Sequence, residues 1–124
     1  MSISVLVVDD DPGFRDLASR LLADLGLTVI GRVGTVGAAV AAADRLRPQA
    51  AVVDVGLPDG DGVELAAELC RLPWRPRVVL ISSDPDATTT GEARAAGAIG
   101  FLSKAELPTG SLRQMLAGRD GGLD

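Results

Sequence analysis

The sequence predicts an α/β fold in which one parallel sheet of five strands carries helices on both of its faces. Five short runs rich in Val, Ile, Leu and Ala are typical of buried parallel strands, and they lie at residues 3–8, 27–33, 49–54, 77–81 and 98–102. Segments with helical periodicity alternate with these runs, which indicates βαβ units with right-handed crossovers. The length of 124 residues, without repeats or linkers, indicates a single domain.

The first three helices are predicted from their apolar faces and from the residues that begin or end them. The first helix occupies residues 12–25, and Gly26 terminates it. Thr35 and Asp61 are suited to cap the N-termini of the second and third helices. The second helix must end before Pro48, because the residue preceding a proline avoids helical backbone.

The last third of the chain gives weaker helix signals. A fourth helix is expected within residues 84–97, but residues 88–91 are three threonines and a glycine, which have low helix propensity. A short fifth helix is expected around residues 112–116, with Gly118 ending it. The domain should therefore cover residues 1–118, and residues 119–124 should form a flexible polar tail.

Composition and charge narrow the classes of function. The net charge of −5 argues against direct nucleic-acid binding, which requires a basic face. The chain contains no histidine, so a His-dependent triad or His metal site is excluded. The only cysteine cannot form an internal disulfide, and the sequence shows neither a signal peptide nor an apolar run of membrane-spanning length. We expect a cytoplasmic protein that does not enter a membrane.

Polar side chains follow four of the five predicted strands. Asp9 and Asp10 follow the first, Asp54 ends the third, Ser82 follows the fourth and Lys104 follows the fifth. Because the carboxyl ends of parallel strands meet at one edge, these side chains should lie together. Three clustered carboxylates repel each other and raise each other's pKa values, and Mg²⁺ would relieve that repulsion. Together with an ammonium and a hydroxyl, they are the parts of a phosphoryl-transfer site.

Each of these residues also has an ordinary structural explanation. Residues 9–13, Asp-Asp-Asp-Pro-Gly, suit a turn followed by a helix cap, and Asp54 could simply initiate a turn. Ser82 could cap a strand end or helix, and Lys104 could be a solvated surface residue. Their joint occurrence at one sheet edge favours the functional interpretation.

Four segments, residues 5–10, 53–62, 79–83 and 97–104, resemble in sequence, order and spacing the receiver domain of bacterial two-component response regulators. The resemblance extends over nearly the whole chain. It implies a flavodoxin-like (βα)5 fold with strand order 2-1-3-4-5. It also implies a switch that is controlled by phosphorylation and whose output is protein–protein interaction.

The resemblance assigns Asp54 as the phosphoacceptor, which takes a phosphoryl group from the phosphohistidine of a sensor histidine kinase. It implies an Mg²⁺ site in which Asp10 binds the ion directly and Asp9 binds it through water. Asp54 and the main-chain carbonyl of Gly56 would complete the protein ligands. Self-phosphorylation from phosphodonors and autodephosphorylation would be the only chemistry, so the chain is not expected to be an enzyme.

The resemblance also assigns residues that stabilise and sense the phosphoryl group. Lys104 would pair with one phosphoryl oxygen and Ser82 would donate a hydrogen bond to another. Phe101 would be the switch aromatic that moves when the Ser82 hydroxyl moves, although it could also be an ordinary core residue. Gly56 and Asp84 stand where the family tunes how fast water reaches the phosphate.

The partners implied are a sensor histidine kinase and either a downstream protein or an effector domain of the same regulator. Contact would be made through the face formed by the fourth helix, the fifth strand and the fifth helix, and the same face could support a phosphorylation-dependent homodimer. Ala105 stands where many receivers have proline, so one source of loop rigidity is missing. A stand-alone receiver is favoured over one cut from a longer regulator, and both alternatives stay open.

Two other functions are compatible with parts of the sequence. A pseudo-receiver would bind partners without ever taking a phosphoryl group. A haloacid-dehalogenase-like phosphatase would use Asp9 as its nucleophile with Asp11 beside it, but no acidic pair follows Lys104 and no cap domain is present.

Overall fold

The central sheet has five parallel strands. The computed structural model describes residues 2–107 and 110–117. The strands of the sheet are β1 (Ser4–Val8), β2 (Thr28–Val33), β3 (Ala50–Asp54), β4 (Arg77–Ser82) and β5 (Gly100–Ser103). Their spatial order is β2-β1-β3-β4-β5, with every neighbouring pair parallel. The predicted fold class and strand order are confirmed.

Helices cover both faces of this sheet. They are α1 (Pro12–Asp24), α2 (Val36–Leu46), α3 (Gly62–Cys70), α4 (Thr90–Ala95) and α5 (Gly110–Ala117). In β1, Leu6 and Val8 enter an aliphatic core beneath α2, α3 and α4, whereas Val5 and Val7 enter a second core beneath α1 and α5. The alternation follows from the period of two along a strand. It explains why the central strands are apolar throughout.

The predicted helix boundaries agree closely with the structure. Thr35 and Asp61 cap α2 and α3, each accepting a hydrogen bond from a backbone N–H of the first turn. Gly26 follows α1 with φ +87°, a left-handed conformation that glycine adopts without steric cost. The weak fourth helix is only six residues long, and Thr89 and Glu92 form a capping box at its start.

Two expectations concern residues beyond the described part of the chain. The end of the fifth helix at Gly118 and the polar tail at residues 119–124 both lie outside residues 2–107 and 110–117. Within the described residues, no helix has the length and apolar character needed to cross a membrane.

The sequence did not predict the small antiparallel pairing between Gly56–Leu57 and Gly60–Asp61. Its turn places Asp59 against the N-terminus of α2. One Asp59 carboxylate oxygen accepts a hydrogen bond from the Val36 amide at 2.7 Å, and the other accepts from the Gly37 amide at 3.1 Å. The loop after β3 is therefore fastened to α2 by two charge-assisted hydrogen bonds.

We expect Asp59→Ala to lower the free energy of unfolding at neutral pH, because two first-turn amides of α2 lose their acceptor. These hydrogen bonds hold the pKa of Asp59 below its usual value of 3.8. The stabilisation is thus present above the pKa of the unfolded chain and is lost as pH falls through the lower folded pKa. Urea unfolding should show the difference from wild type shrinking as pH falls below 3.8.

The matched control is Asp44→Ala, which removes an exposed carboxylate from the last turn of α2, far from Val36 and Gly37. A pH-independent loss in Asp59→Ala, or an equal loss in Asp44→Ala, would contradict the assignment.

Candidate functional site

Asp54 is the last residue of the central strand β3 and is almost wholly buried, with 7% of its surface exposed. Neighbouring strands fix its backbone, since the next amide, Val55 N–H, donates to the Ile81 carbonyl of β4 at 2.9 Å. One carboxylate oxygen, Oδ1, accepts a hydrogen bond from the Gly56 amide at 3.2 Å. The apolar strand thus delivers one carboxylate to the carboxyl edge of the sheet.

Asp9 and Asp10 reach the same edge from β1. Asp9 is completely buried, whereas Asp10 is exposed. The Asp9 carboxylate accepts a hydrogen bond from the Asp11 amide at 2.9 Å. The main-chain carbonyl of Asp9 accepts another from the Arg15 guanidinium at 2.7 Å. Ligand oxygens of Asp9, Asp10 and Asp54 all lie within 4.8 Å of one another. The predicted convergence of the three carboxylates is therefore observed.

Lys104 brings the positive charge from the far end of the sheet. It follows β5 and begins a 3₁₀ turn at Lys104–Glu106. Its Nζ lies 2.7 Å from Oδ2 of Asp9 and 3.6 Å from Oδ2 of Asp54. The ammonium also lies over the aromatic face of Phe14, 4.1 Å from the ring centroid, a contact that the sequence did not reveal.

The electrostatics of the pocket raise the pKa of Asp54 from 3.8 to about 6. Burial is the largest cause, because it disfavours the charged carboxylate, and repulsion by Asp9 is the second. The Gly56 amide and Lys104 lower the pKa but do not cancel these effects. The repulsion between carboxylates is predictable from the sequence, whereas the larger contribution of burial is seen only in the fold.

The donor set fits a hard divalent cation. Carboxylate oxygens are the ligands that Mg²⁺ takes from proteins, and two of these three carboxylates are buried. Within the described residues, Oδ2 of Asp9 is paired with the Lys104 ammonium and accepts no conventional hydrogen bond. Gly56 is exposed beside this group, with open space around its α-carbon.

The predicted sensing residues occupy positions around the acidic group. Ser82 ends β4, next to β3, and its buried hydroxyl oxygen accepts from the Asp84 amide at 3.0 Å. Asp84 is exposed. Phe101 is half-buried and packs with the core beneath α2, α3 and α4. Ser82 thus lies at the carboxyl end of β4 with Asp84 just beyond it, and Phe101 lies within β5. The functional roles of all three residues remain predictions.

Gly62, the first residue of α3, is a structural requirement that sequence reasoning missed. Its amide donates to the Val55 carbonyl at 2.8 Å. A Cβ atom at this position would overlap the carbonyl oxygen of Asp54 and crowd Val55. The absence of a side chain therefore lets α3 begin directly behind the end of β3.

Comparison with known proteins gives a consistent result. A family model for the response regulator receiver domain matches residues 5–117. The DNA-binding transcriptional activator DevR/DosR of Mycobacterium tuberculosis is 39% identical over 104 residues, covering 82% of this chain and 48% of that protein. A protein-glutamate methylesterase/protein-glutamine glutaminase of Halobacterium salinarum is 34% identical over 115 residues, covering 91% of this chain and 32% of that protein.

A solved structure supports the same assignment at the level of the backbone. The chemotaxis response regulator CheY4 of Vibrio cholerae superposes with a TM-score of 0.80 at 25% identity, covering 94% of this chain and 100% of that one. The chain spans about half the length, or less, of the curated relatives described above.

We expect Asp54→Asn to raise the free energy of unfolding above about pH 6 in Mg²⁺-free buffer, by on the order of 1–2 kcal/mol. The folded chain binds the Asp54 proton more tightly than the unfolded chain, so wild-type stability falls as pH rises from 3.8 towards 6. The asparagine has no such titration. Urea unfolding should show that the difference in free energy of unfolding between Asp54→Asn and wild type grows from pH 3.8 to about pH 6 and is absent below pH 3.8.

The control for this prediction is Asp86→Asn, which neutralises an exposed carboxylate in the loop after β4. A stability gain in Asp86→Asn equal to that in Asp54→Asn would indicate a general effect of net charge instead.

We expect Gly62→Ala to destabilise the fold by about 2 kcal/mol or more, because the new methyl group meets rigid backbone at Asp54 and Val55. Gly56→Ala is the matched control in the same loop, since no atom lies within 4 Å of its added Cβ. Thermal unfolding of both variants checks this prediction, and equal losses would contradict it.

Proposed function

This chain belongs to the response regulator receiver family, and from that premise we propose that it accepts a phosphoryl group on Asp54 and signals through protein–protein contacts. The observation that carries the proposal is the buried carboxylate of Asp54, gathered with two further carboxylates and one ammonium at the carboxyl edge of the sheet. The nucleophile is thereby preorganised at the end of a rigid strand, with the counter-charge beside it.

In the proposed reaction, a carboxylate oxygen of Asp54 attacks the phosphorus of a phosphohistidine on a sensor kinase. The O–P bond forms as the P–N bond breaks, and the departing imidazole takes a proton from solvent. Because the pKa of Asp54 is about 6, most of the carboxylate is ionised at neutral pH and able to attack. Lys104 is positioned to pair with a phosphoryl oxygen as charge accumulates there.

Asp9, Asp10 and Asp54 would hold Mg²⁺, together with the main-chain carbonyl of Gly56. When bound there, the ion would neutralise charge between the carboxylates and the incoming phosphoryl oxygens. The chain's contribution is to hold its three carboxylates close enough that a divalent cation relieves their repulsion.

Ser82 is proposed to donate a hydrogen bond to a phosphoryl oxygen, which would alter the loop that Ser82 now anchors through the Asp84 amide. Phe101 would then repack within its core, and the change would appear at the face formed by α4, β5 and α5. Gly56 and Asp84 are proposed to tune hydrolysis of the phosphorylated Asp54, since Gly56 donates to its carboxylate, Asp84 is held by Ser82, and both are exposed to water.

The proposed partners are a sensor histidine kinase and either a separate target protein or an effector domain, with homodimerisation through the same α4-β5-α5 face. The net charge of −5 supports an output through protein contacts without direct nucleic-acid binding by this chain. A cytoplasmic location is proposed with this function, and Cys70 is a free thiol.

The burial of Asp9 argues against the phosphatase alternative, in which Asp9 would be the nucleophile. One Asp9 oxygen accepts from the Asp11 amide, and the other lies 2.7 Å from the Lys104 ammonium. The Asp9 side chain has no exposed surface, whereas 11% of the Asp54 side chain is exposed, so Asp54 is the carboxylate that an incoming phosphorus could reach. We therefore propose no catalytic turnover beyond self-phosphorylation and autodephosphorylation.

Phosphorylation of Asp54 is tested by incubating the chain with acetyl phosphate and Mg²⁺ and measuring its intact mass. We expect one phosphoryl adduct in wild type, none in Asp54→Asn, and an adduct again in Asp86→Asn, which keeps the pocket and loses an exposed carboxylate.

Backbone NMR with beryllofluoride and Mg²⁺ should show shifts at β4, α4 and β5. An adduct that survives in Asp54→Asn would refute the assignment of the phosphoacceptor, and the absence of both adduct and shifts would favour the pseudo-receiver.

A further inference from the structure

Among the described residues, three groups lie close to the Lys104 ammonium, and two of them are carboxylates. Besides Oδ2 of Asp9 at 2.7 Å and Oδ2 of Asp54 at 3.6 Å, it meets the face of the Phe14 ring, with its centroid at 4.1 Å. That distance lies well inside the range of a cation–π interaction. Only 18% of the Lys104 side chain is exposed, so the contact is largely shielded from water.

The Phe14 ring is itself held in place. Phe14 lies in the first turn of α1, just after the Asp9–Asp11 segment, and its half-buried side chain packs against the core beneath α1 and α5. The ring therefore presents a fixed, electron-rich face at the rim of the acidic pocket.

The turn that carries Lys104 is anchored by Leu107, which is buried in the core beneath α1 and α5, but the lysine side chain extends from that turn. Ala105 follows directly and is exposed, and the 3₁₀ turn is only three residues long. One local restraint is the hydrogen bond from the Ser103 amide to Oε1 of Glu106 at 2.8 Å. A lysine side chain has several rotatable bonds, so holding its ammonium in one place costs conformational entropy unless neighbours compensate.

We propose that Phe14 is a positioning residue for Lys104, which holds the ammonium where it meets the phosphoryl group; this inference rests on the proposed function. Phosphorylation would convert the Asp54 carboxylate into an acyl phosphate, and the ammonium must then turn from that carboxylate towards a phosphoryl oxygen. A ring face attracts the cation over a broad area, so the ammonium can shift without losing this contact. A further carboxylate would instead compete with the phosphoryl oxygen for it.

The test compares Phe14→Leu, which keeps apolar volume but loses the π face, with Phe14→Tyr, which keeps both. Beryllofluoride affinity in saturating Mg²⁺, measured by calorimetric titration, should fall about three- to tenfold in Phe14→Leu and stay near wild type in Phe14→Tyr. Mg²⁺ affinity measured without beryllofluoride should change less than beryllofluoride affinity in Phe14→Leu, because the proposed role of Phe14 is to present the ammonium to the phosphoryl group.

A double-mutant cycle and a packing control separate positioning from stability. In a Lys104→Met background, Phe14→Leu should cause no further loss of beryllofluoride affinity. Leu21→Ala removes apolar volume from α1 in the same core, and it should lower thermal stability without changing that affinity.

Three results would overturn the inference alone: wild-type affinity in Phe14→Leu, an equal loss in Phe14→Tyr, or a Phe14→Leu effect that persists without Lys104. Failure of the wild-type chain itself to bind beryllofluoride would instead overturn the proposed function, and this inference with it.

Discussion

The structure depends on the accumulation of negative charge at one end of an otherwise aliphatic sheet. Asp9, Asp10 and Asp54 lie close together and the Lys104 ammonium pairs with two of them, so these four side chains carry two more negative charges than positive. Burial of Asp9 and Asp54 makes this excess costly, and the raised pKa of Asp54 is the direct sign of that cost. A divalent cation would match the excess, and a phosphoryl group would then find both the cation and the ammonium in place. The apolar strands on either side make the arrangement rigid, because β3 cannot move Asp54 without breaking its pairing with β1 and β4.

Loop chemistry supports this charged pocket from outside the sheet. Gly62 allows α3 to start against the backbone of Asp54, and Asp59 fastens the intervening turn to the first amides of α2. The connection between β3 and α3 also carries Gly56. Its amide donates to the Asp54 carboxylate, and its carbonyl is a proposed metal ligand. The position of the Gly56 carbonyl oxygen therefore depends on the contacts of Asp59 and Gly62, two residues with no proposed part in the phosphoryl transfer.

The difference between what the sequence predicted and what it missed has a physical basis. Strand ends are readable, because an apolar run that stops at Asp54 or Lys104 places that residue at a known edge of a parallel sheet. Helix caps such as Thr35 are readable because they act within one turn. The Asp59 contact with α2, the packing of Gly62 on Asp54 and the Phe14 contact with Lys104 join residues whose spatial relation only the folded chain defines. Periodicity carries no information about such pairs. The raised pKa of Asp54 was anticipated in direction, but its main cause, burial, required the structure.

The same contrast between rigid and weak elements determines how a signal could leave the pocket. On the side of β1 and β3, Asp9 and Asp54 are held by backbone pairing with neighbouring strands and by amide hydrogen bonds to their carboxylates, so these two residues have little freedom to move. On the other side, the Ser82 hydroxyl accepts from the Asp84 amide and donates no hydrogen bond to any of the described residues, so its proton is available for a new acceptor. Beyond it lies α4, a six-residue helix whose first turn depends on Glu92 accepting hydrogen bonds from Thr88 and Thr89. A helix this short contributes little stability of its own, so a new acceptor near Ser82 would rearrange α4 before it could disturb β3. The direction of the proposed switch follows from this unequal distribution of stability between the two halves of the sheet.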